Sequence, residues 1–163
     1  MRVVLGPGAM ASAGSLARHV DGLRARGVPA EAIDLPRGRA ERAAPVFEAL
    51  AGPGVVAGGH SFGGRAASLA AAEAEFAGLL LFGFPLAGKA GERTAHFPRI
   101  RCPVLVVNGE ADELSPIDEL REKVALLPRG RLVSFPRAGH DLEGVLDEAL
   151  DVAADFVRSL RLE

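Results

Sequence analysis

The chain has 163 residues, 48% of them hydrophobic, which suffices for one domain with a buried core, so a single domain over residues 1–163 is expected. Its formal net charge is −2, and acidic residues are interleaved with the 19 arginines and lysines, which leaves no electrostatic case for nucleic acid or an anionic membrane as partner. A single cysteine, Cys102, excludes an internal disulfide and points to a reducing cytoplasm, and no apolar stretch reaches the ~20 residues of a membrane span.

The apolar run after Met1-Arg2 is too short and too broken for a signal peptide, and the segment Arg2–Leu5 reads instead as a first strand. It runs into the glycine-rich loop Gly6-Pro7-Gly8-Ala9-Met10. Helical spacing follows over Ser12–Arg26, then a short strand at Ala32–Leu35 and a second helix over Arg39–Ala51. The arginines at 37, 39 and 42, with a glutamate between them, read as a solvated loop. The third strand, Gly54–Gly59, leads through His60-Ser61-Phe62-Gly63-Gly64 into an alanine-rich helix, Phe62–Glu75. Strands are expected again at Gly78–Phe84, Val104–Asn108 and Arg131–Phe135, with helices over Pro116–Leu127 and Leu142–Leu160. Ser115 reads as the cap of the former helix, with Pro116 in its first turn and Asp118 three residues on. The stripe of Val145, Ala149, Val152, Ala153, Phe156 and Leu160 should lay the last helix against the sheet. Strands that alternate with helices in this way build βαβ units and a parallel sheet covered on both faces. Functional groups then gather on its carboxyl edge.

The chemistry-bearing residues fall on that edge. Gly59-x-Ser61-x-Gly63 at a strand-to-helix turn has the form of a nucleophile elbow, in which glycines permit a very tight turn and the serine hydroxyl stands at a helix N-terminus. Serine is a weak nucleophile near neutral pH, so it needs a base and a carboxylate to orient that base. His140, behind Gly139 on the loop after the sixth strand, is the candidate base. Asp112, on the loop after the fifth, is the candidate acid, with Glu110 and Glu113 as rivals on the same loop. The backbone N–H of Phe62 can face an oxyanion at the helix N-terminus. Pro7 has no N–H, so the second donor falls to Ala9, with Met10 as its rival and as a possible substrate contact. His19 reads as solvated on a polar helix face, His60 as packed beneath the elbow, and His96 as a possible lining of the substrate site. Cys102 reads as a small buried residue. No histidine pair has metal-ligand spacing, so neither a metal nor a cofactor is expected.

These residues carry a resemblance. With Gly-His-Ser-Phe-Gly at the elbow, Gly-x-x-Asp112 on the acid loop and Gly-His140 on the base loop, the chain resembles the α/β-hydrolase superfamily over nearly its whole length. The resemblance implies a three-layer, doubly wound α/β sheet of about six parallel strands in the order 2-1-3-4-5-6, a trimmed core without a lid domain. Within the superfamily, Gly58-Gly-His-Ser-Phe-Gly-Gly-Arg65, Gly83-Phe-Pro-Leu86 and the stretch from Gly88-Lys89 to Arg93-Thr-Ala-His96 are similar to the small dienelactone-hydrolase-like branch that includes a testis-expressed protein and a subunit of the nonspecific-lethal complex. Dienelactone hydrolases proper have a cysteine in place of Ser61, and many relatives have His-Gly where this chain has Pro7-Gly8. The function implied is hydrolysis of a small ester or thioester through an acyl-enzyme. A binding or scaffold module that keeps the fold without turnover, and acyl transfer by the same three residues, are the alternatives. The loop Leu86–Arg101 is the one insertion large enough to shape the pocket, and oligomeric state is not legible in the sequence.

Overall fold

The computed structural model describes residues 1–160. Six strands, β1 (Arg2–Gly6), β2 (Ala30–Ala32), β3 (Gly52–His60), β4 (Phe76–Phe82), β5 (Val104–Gly109) and β6 (Gly130–Phe135), form one all-parallel sheet in the order β2-β1-β3-β4-β5-β6. The helices are α1 (Ala17–Ala25), α2 (Ala40–Glu48), α3 (Phe62–Ala71), α4 (Ala90–Thr94), α5 (Ile117–Val124) and α6 (Leu146–Leu160). Strand residues alternate between two cores because successive side chains point to opposite faces. Val3, Leu5, Val56, Leu80, Phe82, Leu105 and Val107 face α1 and α6. Val4, Ala57, Leu79, Leu81, Val104 and Val106 face α2, α3 and α5. Burial on both faces is what lets β4 and β5 be almost entirely apolar. This is the three-layer arrangement expected, and no lid domain stands over the sheet among the described residues.

Several elements differ from expectation, each for a local reason. β2 lies two residues early: the register sets Ala30 beside Val3, and by Asp34 the chain has turned off, its carboxylate accepting the Ala13 N–H at 2.8 Å. The first helix is split into a 3-10 turn, Ala13–Leu16, followed by α1. The last helix starts at Leu146 instead of Leu142, because Leu142 and Gly144 have positive φ (58° and 85°) and cannot join a right-handed helix. Within the expected loop 86–101, residues 90–94 form α4 and Phe97–Arg99 a 3-10 turn. Ser115 does not cap α5. Pro116 holds the capping position, while the fully buried Ser115 hydroxyl donates to the Phe84 carbonyl and accepts the Leu86 N–H at 3.0 Å. The serine therefore ties the loop after β5 to the loop after β4.

Aligned strand ends bring the loops together. Gly6 is level with Gly59, His60 with Phe82, and Gly109 with Phe135. Backbones approach so closely here that a side chain would not fit: a Cβ on Gly63 would come within 2.0 Å of the Gly6 carbonyl oxygen. The glycine spacing around Ser61 is thus a requirement of packing α3 against the end of β1.

Candidate active site

Ser61 sits between β3 and α3 with φ 54° and ψ −117°, a conformation that costs a non-glycine residue of order 1–3 kcal/mol. The turn is held by the Ser61 N–H, which donates to Phe82 O at 3.1 Å, and by the Arg65 N–H, which donates back to Ser61 O at 3.0 Å. The strain has a consequence. It lifts the hydroxyl off the sheet, where Ser61 Oγ lies 2.9 Å from His140 Nε2.

On the other side of the imidazole, His140 Nδ1 is 2.7 Å from Asp112 Oδ2. The Asp112 side chain is out of solvent altogether. Burial alone would raise its pKa, but bonds from His140, the Leu114 N–H (2.8 Å) and Asn108 Nδ2 (3.2 Å) outweigh it and hold the pKa below the ordinary 3.8. An ionised carboxylate only accepts, so Nδ1 carries the imidazole proton, and Nε2 is left to accept the Ser61 O–H. Of the three candidate carboxylates, Asp112 is the one brought to the histidine. Glu110 pairs with Arg121 at 3.2 Å, and Glu113 is exposed.

The base loop is placed by glycines and by a second histidine. Gly83, at φ +62°, lies so close under His140 that a Cβ would come within 2.7 Å of its carbonyl oxygen, and a Cβ on Gly109 would meet Ala138 O at 2.2 Å. His60 donates from Nε2 to His140 O at 3.1 Å, with the two rings 4.8 Å apart. Desolvation by burial lowers the His60 pKa, so it serves as a neutral donor.

Ala9 and Phe62 line a common cleft of about 190 Å³ together with Pro7, Gly8, Met10 and the segment Leu35–Gly38. Phe62 opens α3, so its N–H has no helical carbonyl to bond. Met10, 71% exposed with φ 65°, stands at the rim. A larger hollow, about 810 Å³, lies by Pro53, Phe76 and Pro103 at the opposite edge of the sheet, remote from Ser61.

Two histidines are not where the sequence put them. His96 does not line the site: it is 7% exposed, and its Nε2 is 2.8 Å from Ser68 Oγ inside α3. Ser68 already donates to Arg65 O at 2.7 Å, so His96 is the donor to the serine oxygen. His19 is not solvated. Its ring meets the edge of Phe82 at 5.1 Å, and both ring nitrogens are buried without a hydrogen-bond partner among the described residues. Burial pushes both imidazoles down to about 4. Cys102 is half-buried, and desolvation raises its thiol to about 11.

Sequence reasoning missed Asn108, Gly83, Gly109 and the backbone role of His60. Asn108 had a visible signal, a polar residue closing the apolar run Val104-Leu-Val-Val. Its side chain is fully buried and steadies Asp112. The glycines had none, because what they accommodate is a loop about thirty to sixty residues further on.

With this geometry in place, the chain can be set beside known proteins. Residues 19–156 match the α/β hydrolase domain family model, and the chain belongs to that family. Its fold is similar to that of a monoacylglycerol lipase from Paleococcus ferrophilus (TM-score 0.82, 16% identity, 97% of this chain and 94% of that one). It is similar also to a dienelactone hydrolase from Anabaena variabilis (0.83, 22%, 98% and 86%) and to Est1E from Butyrivibrio proteoclasticus (0.78, 16%, 99% and 88%). At these identities the likeness is one of fold. No curated protein matches the chain. No helix among the described residues is long and apolar enough to cross a membrane.

Proposed function

We propose that the protein is a serine hydrolase that cleaves a small ester or thioester through an acyl-enzyme. The observation that carries this reading is the unbroken chain from Ser61 Oγ to His140 Nε2 (2.9 Å) and from His140 Nδ1 to Asp112 Oδ2 (2.7 Å), mounted on a strained elbow. Ser61 Oγ attacks the acyl carbonyl as its proton passes to His140 Nε2. The tetrahedral oxyanion is held by the N–H groups of Ala9 and Phe62. His140 then gives the proton to the departing alcohol or thiol oxygen or sulfur, and the bond to the acyl carbon breaks. Water repeats the sequence: His140 takes its proton, the hydroxide oxygen bonds the acyl carbon, and Ser61 leaves with the proton returned. Asp112 stays ionised throughout and stabilises the imidazolium.

The test compares purified wild type with Ser61→Ala. A fluorophosphonate probe, read by intact mass, should add to wild type alone, and a short activated ester should be hydrolysed by wild type alone. Absence of both adduct and turnover would sink the reading and leave a binding module built on the same fold.

A further inference from the structure

A second cleft, of about 270 Å³, is lined by Arg39, Glu41, Arg65, Lys89, Glu92 and Arg93, four cations against two carboxylates. Arg65 is its centre. It is half-buried on α3, and its guanidinium has no hydrogen bond or ion pair among the described residues. A desolvated guanidinium normally has carboxylate or carbonyl partners, because its five N–H donors lose water on burial. Of the two carboxylates in the cleft, Glu41 sits 3.6 Å from Arg39, and Glu92 is exposed and makes no ion pair with Arg65 among the described residues, while the neighbouring cation Arg93 donates to Pro85 O at 2.9 Å. Burial and then the like charge of Arg93 work against the charged form of Arg65, Glu41 and Glu92 offset them only in part, and a bound anion would relieve what is left.

Position ties this cleft to the elbow. Arg65 is one helical turn beyond Ser61, a rise of about 6 Å, and helical side chains lean toward the N-terminus, here toward the nucleophile. Phe62 and Arg65 are three apart on one face of α3. The wall is continuous: Leu35–Gly38 border the cleft beside Phe62, and Arg39–Glu41 border the cleft at Arg65. Lys89 and Arg93 close the far side from the segment that carries α4.

We infer that Arg65, with Lys89 and Arg93, binds a carboxylate at the distal end of the acyl group, so that the substrates are half-esters of short dicarboxylic acids. This rests on the acyl-enzyme reading for its catalytic consequence, though not for binding. Arg65 follows Ser61 by four residues at the start of α3, so a short acyl chain of about five carbons is the length to test first.

The experiment pairs mono-para-nitrophenyl glutarate with para-nitrophenyl pentanoate, equal in chain length and different in charge. Wild type should favour the anionic ester in kcat/KM by about tenfold or more, the worth of one charge-assisted bond, and the preference should shrink with added salt. Arg65→Gln should lose that preference, chiefly through KM on the glutarate, whereas Arg42→Gln, outside the cleft, should keep it. Turnover of both esters with no preference, or an unchanged preference in Arg65→Gln, overturns the inference and leaves the hydrolase reading standing. Binding is read separately by calorimetry of glutarate on Ser61→Ala, with and without Arg65→Gln. Heat lost with Arg65→Gln supports the cleft even if wild type proves inert toward esters, and no heat in Ser61→Ala itself overturns it.

Discussion

His140 Nδ1 lies 2.7 Å from Asp112 Oδ2, and the carboxylate it meets is held in turn by Asn108 and by the Leu114 N–H. The bond fixes which imidazole nitrogen faces Ser61. Asp112→Asn replaces an obligate acceptor with a group that can donate, and the wrong tautomer becomes favourable. We expect kcat on a short activated ester to fall on the order of 10⁴-fold. Glu110→Gln and Glu113→Gln should stay near wild type, since neither carboxylate reaches the ring.

Gly83→Ala tests the placement of the base loop. A Cβ there would press within 2.7 Å of His140 O, at a backbone φ of +62° that alanine resists. Displacing the imidazole by about 1 Å should cost about 10²-fold in kcat. Circular dichroism should still show a folded protein, so that the loss reads as misplacement.

Ser115→Ala removes a buried hydroxyl and strands two partners, the Phe84 carbonyl and the Leu86 N–H. Leaving such groups unsatisfied costs about 1–3 kcal/mol. The expected result is a lower midpoint in urea with an unchanged slope, and a retained midpoint would show that the tie between the two loops is dispensable.

Acid should unfold the protein earlier than its carboxylates alone would dictate. His19 and His96 have pKa values pushed down to about 4 in the fold, against 6.5 when free. Between those values the unfolded chain binds more protons than the folded one, so stability is full above about pH 6.5 and falls as pH drops toward 4. Each histidine accounts for up to about 3 kcal/mol of that fall. Asp112, with its depressed pKa, adds a further loss below its ordinary 3.8. In His19→Phe, which keeps the contact with Phe82 without a titrating ring, the dependence of urea midpoints on pH between 6.5 and 4 should be visibly shallower. An unchanged slope would mean that His19 is hydrated in solution.

Much of the candidate site is legible in the sequence because its members are marked locally. The elbow shows as glycines flanking Ser61 after an apolar strand, and the loops of Asp112 and His140 show as polar breaks after apolar runs. Other roles carried no local mark. Ser115 has the sequence of a helix cap, yet its hydroxyl is claimed by the loop after β4, which offers two buried backbone groups. His19 has charged neighbours, Arg18 and Asp21, but α1 turns its ring inward onto Phe82.

The sequence by itself determined the βαβ order, the apolar strands and the turn that carries Ser61, since apolar periodicity and glycine placement act within a few residues of where they are written. Only the tertiary structure decided which carboxylate meets His140, that His60 and Gly83 seat its loop, that His96 is spent on Ser68, and that Arg65 faces a cleft beside Arg93 without a partner of its own. Those outcomes depend on contacts between segments about twenty to eighty residues apart, and the register and spacing of six strand ends set them.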